Sequence, residues 1–139
     1  MESIVLDNNI LFSLMNPFST ASYIFAAIGV SFLAPEFINE EFNEHIALCL
    51  KKSGLSEHEF EIRMKEIEHN LVFVKLSEYE EYLGRSIETL SDPDDVDFLA
   101  LALKTKSVIW SNDLHLKEQS LIRTYSTKDL VDMLLSGEI

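Results

Sequence analysis

The chain has 139 residues, of which 47% are hydrophobic, so it has enough apolar material for one compact domain with a core, and we expect residues 1–139 to form that single domain. Its 24 acidic residues against 11 Lys and Arg give a net charge of −13, which disfavours broad, sequence-independent coating of nucleic acids. One cysteine excludes an internal disulfide, and the longest apolar run, residues 21–35, is short for a membrane span and follows no basic region, which predicts a cytoplasmic protein without a signal peptide or membrane anchor.

The secondary structure is predicted from short apolar runs, the helical spacing of apolar residues and capping signals. In chain order, the predicted elements are a strand at 3–6, one or two helical turns at 8–15, a helix at about 20–28, a strand at 30–34, a helix from 35 that ends at Gly54, a helix at 56–70, a strand at 71–76, a helix at 78–90, a helix from Asp92 to Thr105 or Lys106, a strand at 108–110, a fifth strand at 122–125, and a helix capped by Ser126 or Thr127 that runs through Leu135. Strands that alternate with long helices predict a three-layer α/β/α sandwich with a mostly parallel central sheet of four to five strands.

Four acids are predicted to lie together at one edge of this sheet. Asp7 closes the strand IVLD, and Asp113 follows the strand in VIWSND. Glu41 lies in PEFINEEF after the second strand, and Asp95 opens the helix of DPDDVDFLALAL. The helix that begins at Asp95 runs for about ten residues and carries the chain ~15 Å away from the edge. The following strand of about five residues carries it ~17 Å back to Asp113, so both acids should lie at the same edge. Ligands of such sheets gather outside the carboxyl ends of the strands, so these acids are candidates for a functional site.

A cluster of carboxylates with few balancing cations is unstable by itself, and it usually exists to hold a divalent metal. The four acids therefore predict a metal-dependent hydrolase. Each acid also has a purely structural explanation. Asp7 could cap the helix that follows it, and Asp113 could be an ordinary turn residue. Asp95 could bind backbone amides in the first turn of its helix, and Glu41 could belong to a solvated acidic helix face.

The other reactive side chains give no second site pattern. The single thiol, Cys49, lies in an apolar helical stretch and is predicted to be buried and unreactive. No P-loop, dinucleotide-binding, CxxC or HExxH motif occurs, so an ATPase, a Rossmann dehydrogenase and the common zinc sites are not supported. The histidines show no metal-binding spacing and are predicted to lie on the solvated surface: His45, His58, His69 and, in a loop, His115.

Four short motifs occur in the order and spacing of a known family: DNNILFSL after the first strand, PEFINEEF after the second, DPDDVDFLALALK at the start of a helix, and VIWSNDLHL after a later strand. In these motifs, and from Ile4 to about Leu135, the chain resembles the PIN-domain ribonucleases, including VapC-type toxins. The resemblance implies a set of catalytic carboxylates that also bind one or two Mg²⁺ or Mn²⁺ ions: Asp7, Glu41, Asp95 and Asp113.

The resemblance also implies supporting residues. Asn9 and Ser111 match polar positions that in the family steady the acids or the metal-bound water. Asn8 stands where Thr or Ser is common, and Ser111 stands where Thr is common, so both departures keep a polar group. Lys117 is the cation nearest to a predicted site acid in the sequence, and we predict that it contacts phosphate.

The third acid has two competitors, Asp94 and Asp97. Together with Asp92 they place four negative charges within six positions, more than a helix cap needs, so a cation or solvation must relieve their repulsion. The register of the following FLALAL segment, compared with the family pattern, favours Asp95.

By the same resemblance, the expected activity is cleavage of single-stranded or looped RNA that leaves a 3′-hydroxyl and a 5′-phosphate. An antitoxin protein that covers the acidic cleft and a homodimer formed through the apolar helix 21–30 are the expected partners. Two alternatives remain open. One is a PIN-like scaffold that binds a partner without catalysis. The other is a phosphatase of the haloacid dehalogenase type, although Asn9 occupies the place where that chemistry needs a second acid.

Overall fold

The computed structural model describes residues 1–139. Five strands form one sheet: β1 (Ser3–Leu6), β2 (Ser31–Pro35), β3 (Leu71–Val74), β4 (Val108–Trp110) and β5 (Thr124–Tyr125). Their spatial order is β3-β2-β1-β4-β5, and every neighbouring pair is parallel. The predicted three-layer α/β/α architecture is confirmed, and the sheet is parallel throughout rather than mostly so.

Helices connect the strands and cover the sheet, as parallel crossovers require. They are α1 (Asn8–Ser13), α2 (Thr20–Ala27), α3 (Phe37–Glu44), α4 (Ile46–Ser53), α5 (Glu57–Asn70), α6 (Leu76–Tyr79), α7 (Leu83–Thr89), α8 (Val96–Thr105), α9 (Leu114–Glu118) and α10 (Thr127–Ser136), with single 3₁₀ turns at Glu80–Tyr82 and Pro93–Asp95. None of them combines the length and the apolar character needed to cross a bilayer.

The core lies on both faces of the central strands. In β1, Ile4, Val5 and Leu6 are fully buried, which is the continuous apolar run expected of a strand covered on both sides. Helix α8 packs against β1, β2 and β4, and its residues 98–102 are all buried. A helix that is apolar on nearly all sides must lie inside the molecule. The first turn of α8, where Asp95 stands, is thereby fixed against the centre of the sheet.

The strand order reverses beside β1. The chain runs outward from β1 through β2 to β3, and it then returns to the other side of β1 to form β4. Leu6 pairs with Trp110, and the backbone N–H of Asp7 donates to the carbonyl of Trp110 at 3.3 Å. The crevice between the carboxyl ends of β1 and β4 is therefore the topological switch point, where open α/β sheets bind their ligands.

Several predicted boundaries are confirmed by specific caps. Ser56 accepts from the N–H of Glu59 in a complete capping box, and Ser126 caps α10. Gly54 ends α4 and Lys106 ends α8, each in the left-handed conformation. Strand β1 has the predicted bounds. The predicted strand 71–76 stops at Val74, because α6 already begins at Leu76, and only the second half of 122–125 is a strand.

The single helix predicted from 35 to 54 is wrong. Pro35 is the last residue of β2, and the rest forms two helices, α3 and α4, with a break at His45 (φ −110°, ψ 21°). The polar segment 43–45 is exposed and anchors nothing in the core, and Asn and His are weak helix formers. Tertiary contacts therefore decide the direction of the chain at this point.

Two further differences lie around the later helices. The helix predicted at 78–90 begins at Leu76 and consists of α6, a 3₁₀ turn and α7, which together wrap around α8. His115, which the sequence places in a loop, lies in the short helix α9 (Leu114–Glu118). All four histidines are exposed, and Cys49 is a buried free thiol, as predicted.

Candidate functional site

Three of the four predicted acids converge at the switch point. Asp7 follows β1, Asp113 follows β4 by two residues, and Asp95 ends the 3₁₀ turn before α8. Asp95 and Asp113 lie within hydrogen-bonding reach of each other, and the charge of Asp7 acts on both. A hydrogen bond between two carboxyl groups requires that one of them be protonated. The structure thus brings together acids that are far apart in the sequence.

Asp7 is held in a fixed orientation. One of its carboxylate oxygens accepts from the N–H of Ile10 at 2.9 Å, and the other accepts from the hydroxyl of Ser111. Only 6% of Asp7 is exposed. This burial raises the pKa of Asp7, although the hydrogen bonds from Ser111 and Ile10 oppose the shift, and the nearby charge of Asp113 adds to it. Asp7 caps α1 and belongs to the acid cluster at the same time.

Ser111 links the ends of β1 and β4. Its hydroxyl donates to Asp7 and accepts from the backbone N–H of Asp113 at 2.9 Å, and the side chain is fully buried. Asp113 in turn accepts from the N–H of His115 at 2.8 Å and caps α9. One hydroxyl therefore sets the positions of two acids across the switch point.

Asp95 differs from the other two acids because its side chain makes no capping hydrogen bond. It is 8% exposed, and its Oδ2 atom is buried without any donor. Burial, followed by the charges of Asp113 and Asp92, raises the pKa of Asp95 to about 7. The contact to backbone amides considered for Asp95 is absent. The cap is Asp92, which accepts from the N–H of Asp94 at 2.9 Å. Because Oδ2 of Asp95 is buried and has no donor, a bound proton or cation is needed to stabilise it.

Glu41 lies beside this cluster, not within it. Its carboxylate accepts from the side-chain amide of Asn8 at 3.1 Å, and both residues line a neighbouring concavity of about 410 Å³ together with Asp94 and Asp97. The Oδ1 atom of Asn8 is buried and has no hydrogen-bond partner. Since Asn8 directly follows Asp7, it connects the fourth acid to the other three.

The competitors for the third acid face elsewhere. Asp97 accepts from the hydroxyl of Tyr79 at 2.5 Å, and Tyr79 is almost completely buried. Burial and the charge of Asp97 raise the pKa of Tyr79, so its hydroxyl stays a donor. Asp94 is exposed. Of these acids, only Asp95 lies against Asp7 and Asp113.

Two predicted supporting residues have other contacts. The side chain of Asn9 is exposed and makes no hydrogen bond to the acids, although its backbone N–H faces Asp7. The side-chain contact comes from Asn8, whose amide donates to Glu41. Its only signal in the sequence is a polar residue that departs from the family pattern. Lys117 forms an ion pair with Asp129 at 2.5 Å, so its ammonium group is already engaged.

The donor set of the cluster suits Mg²⁺ or Mn²⁺, because it consists of hard carboxylate oxygens. No three acidic, histidine or cysteine side chains already surround one point as metal ligands do. The hydrogen bonds explain this arrangement, since Asp7 faces Ile10 and Ser111 while Asp113 faces the backbone of His115. The buried, donor-free oxygen of Asp95 is the feature that fits a cation. The oxygens of Asp7 each accept one hydrogen bond and keep a further lone pair for an ion.

Comparison with known proteins agrees with this fold. The model of the PIN domain family matches residues 5–130, a range that contains all four predicted acids. No curated protein matches the sequence. The match spans nearly the whole chain and coincides with the five-stranded parallel sheet. The chain therefore belongs to the PIN domain family.

Proposed function

We propose that this protein is a metal-dependent endoribonuclease in which Asp7, Asp95 and Asp113 bind Mg²⁺ or Mn²⁺ and Glu41 completes the site. PIN domains are in general nucleases. The observation that carries the proposal is the convergence of three acids at the switch point, where Asp95 has a buried oxygen without a donor. Nothing in the packing of the fold requires that oxygen to be charged.

Electrostatics supports a cation at this position. Burial raises the pKa values of Asp7 and Asp95, and repulsion from the charge of Asp113 adds to both shifts. Because the pKa of Asp95 is raised to about 7, Asp95 keeps its proton up to near neutral pH when no cation is bound. Cation binding must therefore displace a proton, and the affinity should rise with pH through this range.

Asp7, Asp95 and Asp113 would hold the ion, which would supply a water molecule of lowered pKa and offset charge on the leaving oxygen of a phosphodiester. Ser111 keeps Asp7 oriented toward the ion, and Asn8 holds Glu41 at the rim of the site. The expected substrate is single-stranded or looped RNA, with products that carry a 3′-hydroxyl and a 5′-phosphate. With a net charge of −13, the protein should bind the phosphate backbone only where positive charge is concentrated.

The test uses Asp7→Asn and Asp113→Asn with an end-labelled single-stranded RNA in Mn²⁺. Asn is as good an N-cap as Asp, so both variants should stay folded by circular dichroism while losing a charged ligand. Cleavage should fall by more than the roughly 10–100-fold loss that outer-sphere changes cause in metal sites. Asp94→Asn removes the same charge from an exposed neighbour and serves as the matched control. Undiminished cleavage by both ligand variants refutes the proposal.

A catalytically silent PIN scaffold is the second candidate. The capping bonds favour it, because Asp7 and Asp113 both have a structural role that needs no metal. Calorimetric titration with Mn²⁺ separates the two. Binding that is lost in Asp95→Asn supports the nuclease, whereas no binding at millimolar Mn²⁺ with the fold intact supports the scaffold.

The finer proposal is that this nuclease is the toxin of a VapC-type toxin–antitoxin pair in the cytoplasm. An antitoxin would cover the cleft by presenting an Arg to the carboxylates, where a bidentate pair would replace the cation. A homodimer through α2 is part of the same proposal, and Tyr23 on that helix is 66% exposed. Growth arrest on expression of the wild-type chain, but not of Asp7→Asn, tests toxicity, and light scattering on a sizing column tests the dimer.

A further inference from the structure

A second concavity lies between α1 and α4. It has a volume of about 340 Å³, which is within the range of small-ligand sites. Phe12, Met15 and Leu48 give it apolar walls, and the ring of Phe12 is fixed by stacking on Phe42 at a centroid distance of 5.3 Å. The concavity is therefore formed by side chains that packing already holds in place.

The residues that line this concavity include basic side chains but no acidic ones, whereas the molecule as a whole is strongly acidic. The chain has more than twice as many acidic as basic residues, yet none of the nine residues that line the concavity is acidic, and two are His45 and Lys52. Lys52 makes no ion pair. Lys52 and the neighbouring Lys51 lie in the last turn of α4. An anionic group would meet positive charge here and negative charge at most other places on the surface.

The concavity reaches the first turn of α1, the helix that Asp7 caps. Asn9, which lines it, stands two residues after Asp7, or ~3 Å along a helix axis. The amide groups of Asn9 and Asn16 are polar in an otherwise apolar lining, and amides can both donate to and accept from the edge of a base. A strand whose phosphate lies at the acid cluster would place an adjacent nucleotide at this opening.

We propose that the concavity between α1 and α4 binds the base and phosphate of one nucleotide of single-stranded RNA, next to the bond that the acid cluster cleaves. This proposal rests on the proposed nuclease function. The apolar walls receive the flat base, the two Asn amides contact its edge, and Lys52 with His45 contacts the phosphate. Contacts between bases and apolar or aromatic walls tolerate many sequences, so the pocket supplies affinity with modest base preference.

The experiment measures binding of a fluorescein-labelled single-stranded RNA of about ten nucleotides by anisotropy. The chain carries Asp7→Asn, so that binding does not depend on turnover. Lys52→Gln should weaken binding about fivefold to tenfold and should reduce the slope of log Kd against log salt by about 0.7, the value for one lost contact to a single-strand phosphate. Lys51→Gln is the matched control because Lys51 does not line the concavity, and it should change binding less than about twofold.

Leu48→Ala separates an apolar contact from a charge contact. Leu48 is half exposed, so its truncation should not unfold the chain. It should weaken RNA binding about fivefold, because part of the apolar wall is lost, without changing the salt slope. In the chain with Asp7 intact, Lys52→Gln and Leu48→Ala should raise KM more than they lower kcat.

The outcomes distinguish a failure of the nucleotide-pocket proposal from a failure of the proposed nuclease function. If the wild-type chain cleaves RNA but Lys52→Gln and Lys51→Gln bind it equally well, the nucleotide pocket is overturned and the nuclease stands. If the wild-type chain does not cleave RNA, yet binding depends on Lys52 and Leu48, the nuclease is overturned and the pocket stands as an RNA-binding site. RNA binding that is unchanged by substitutions at both positions overturns the nucleotide pocket.

Discussion

Replacing Asp95 by Asn should stabilise the metal-free protein near neutral pH while abolishing its metal binding. The side chain of Asp95 is buried, caps no helix and has one oxygen without a donor. Ionising it forces a charge into a site that already contains Asp113 and Asp7. Asn has the same shape, carries no charge and can donate to the neighbouring carboxylate, so the main destabilising contribution disappears.

The magnitude follows from the pKa of Asp95, which burial and Asp113 raise from 3.8 to about 7. Between about pH 4 and pH 7 the folded chain keeps a proton that the unfolded chain has released, so the free energy of unfolding falls as pH rises and levels off above this window. One pKa unit corresponds to about 1.4 kcal/mol, so the full effect is about 4 kcal/mol, of which about 3 kcal/mol lies between pH 5 and pH 8.

The assay is urea unfolding with a chelator at about pH 5 and about pH 8, for the wild-type chain, Asp95→Asn and Asp94→Asn. The wild-type chain should lose stability over this interval, and Asp95→Asn should lose much less. The exposed Asp94 variant removes the same charge and should follow the wild type, which accounts for long-range repulsion and for the histidines. Mn²⁺ should restabilise the wild type at pH 8 but not Asp95→Asn. Wild-type stability that rises from pH 5 to pH 8, or no gain in Asp95→Asn at pH 8, refutes the reasoning.

Two further substitutions test the hydrogen bonds around the site. Ser111→Ala removes the donor to Asp7 and should cost about 1–3 kcal/mol of stability, together with a roughly tenfold or larger loss of Mn²⁺ affinity; a chain with full affinity would show that Ser111 does not position Asp7. Tyr79→Phe leaves Asp97 without its donor and should cost about 1–2 kcal/mol in urea unfolding while RNA cleavage stays within about twofold, and a large loss of cleavage would assign Asp97 to the metal site.

The sequence predicts the parallel sheet and the convergence of three acids, because both follow from the order of strands and helices along the chain. Alternating strands and helices specify a parallel sheet, and acids at the carboxyl ends of such strands share one edge. The position of Glu41 is harder to predict, since it depends on how α3 leaves β2 and on a break at His45 that local propensity indicates only weakly. Helix α9 has five residues, too few for a periodic pattern, and its only signal is the cap at Asp113.

Asn8 contacts an acid of the candidate site and Asn9 does not, and this difference has a simple geometric cause. Successive residues of a helix point about 100° apart, so the side chains of two neighbouring residues face different surfaces. Asn8 faces Glu41, and Asn9 faces the concavity between α1 and α4. The sequence shows two neighbouring amide side chains after Asp7. Only the orientation of α1 in the structure shows which of them donates a hydrogen bond to an acid.

The three acids at the switch point can be separated by what the fold requires of each. Asp7 and Asp113 cap helices, a role that needs a side-chain oxygen but no net charge, since Asn caps as well as Asp. Asp95 makes no capping bond, and its charge opposes folding. A buried acid that destabilises the fold persists when the site needs it for another purpose, because stability is exchanged for function at active sites. Asp95 is therefore the residue whose presence is least explained by structure and best explained by a cation, which is why its substitution tests the proposed function most directly.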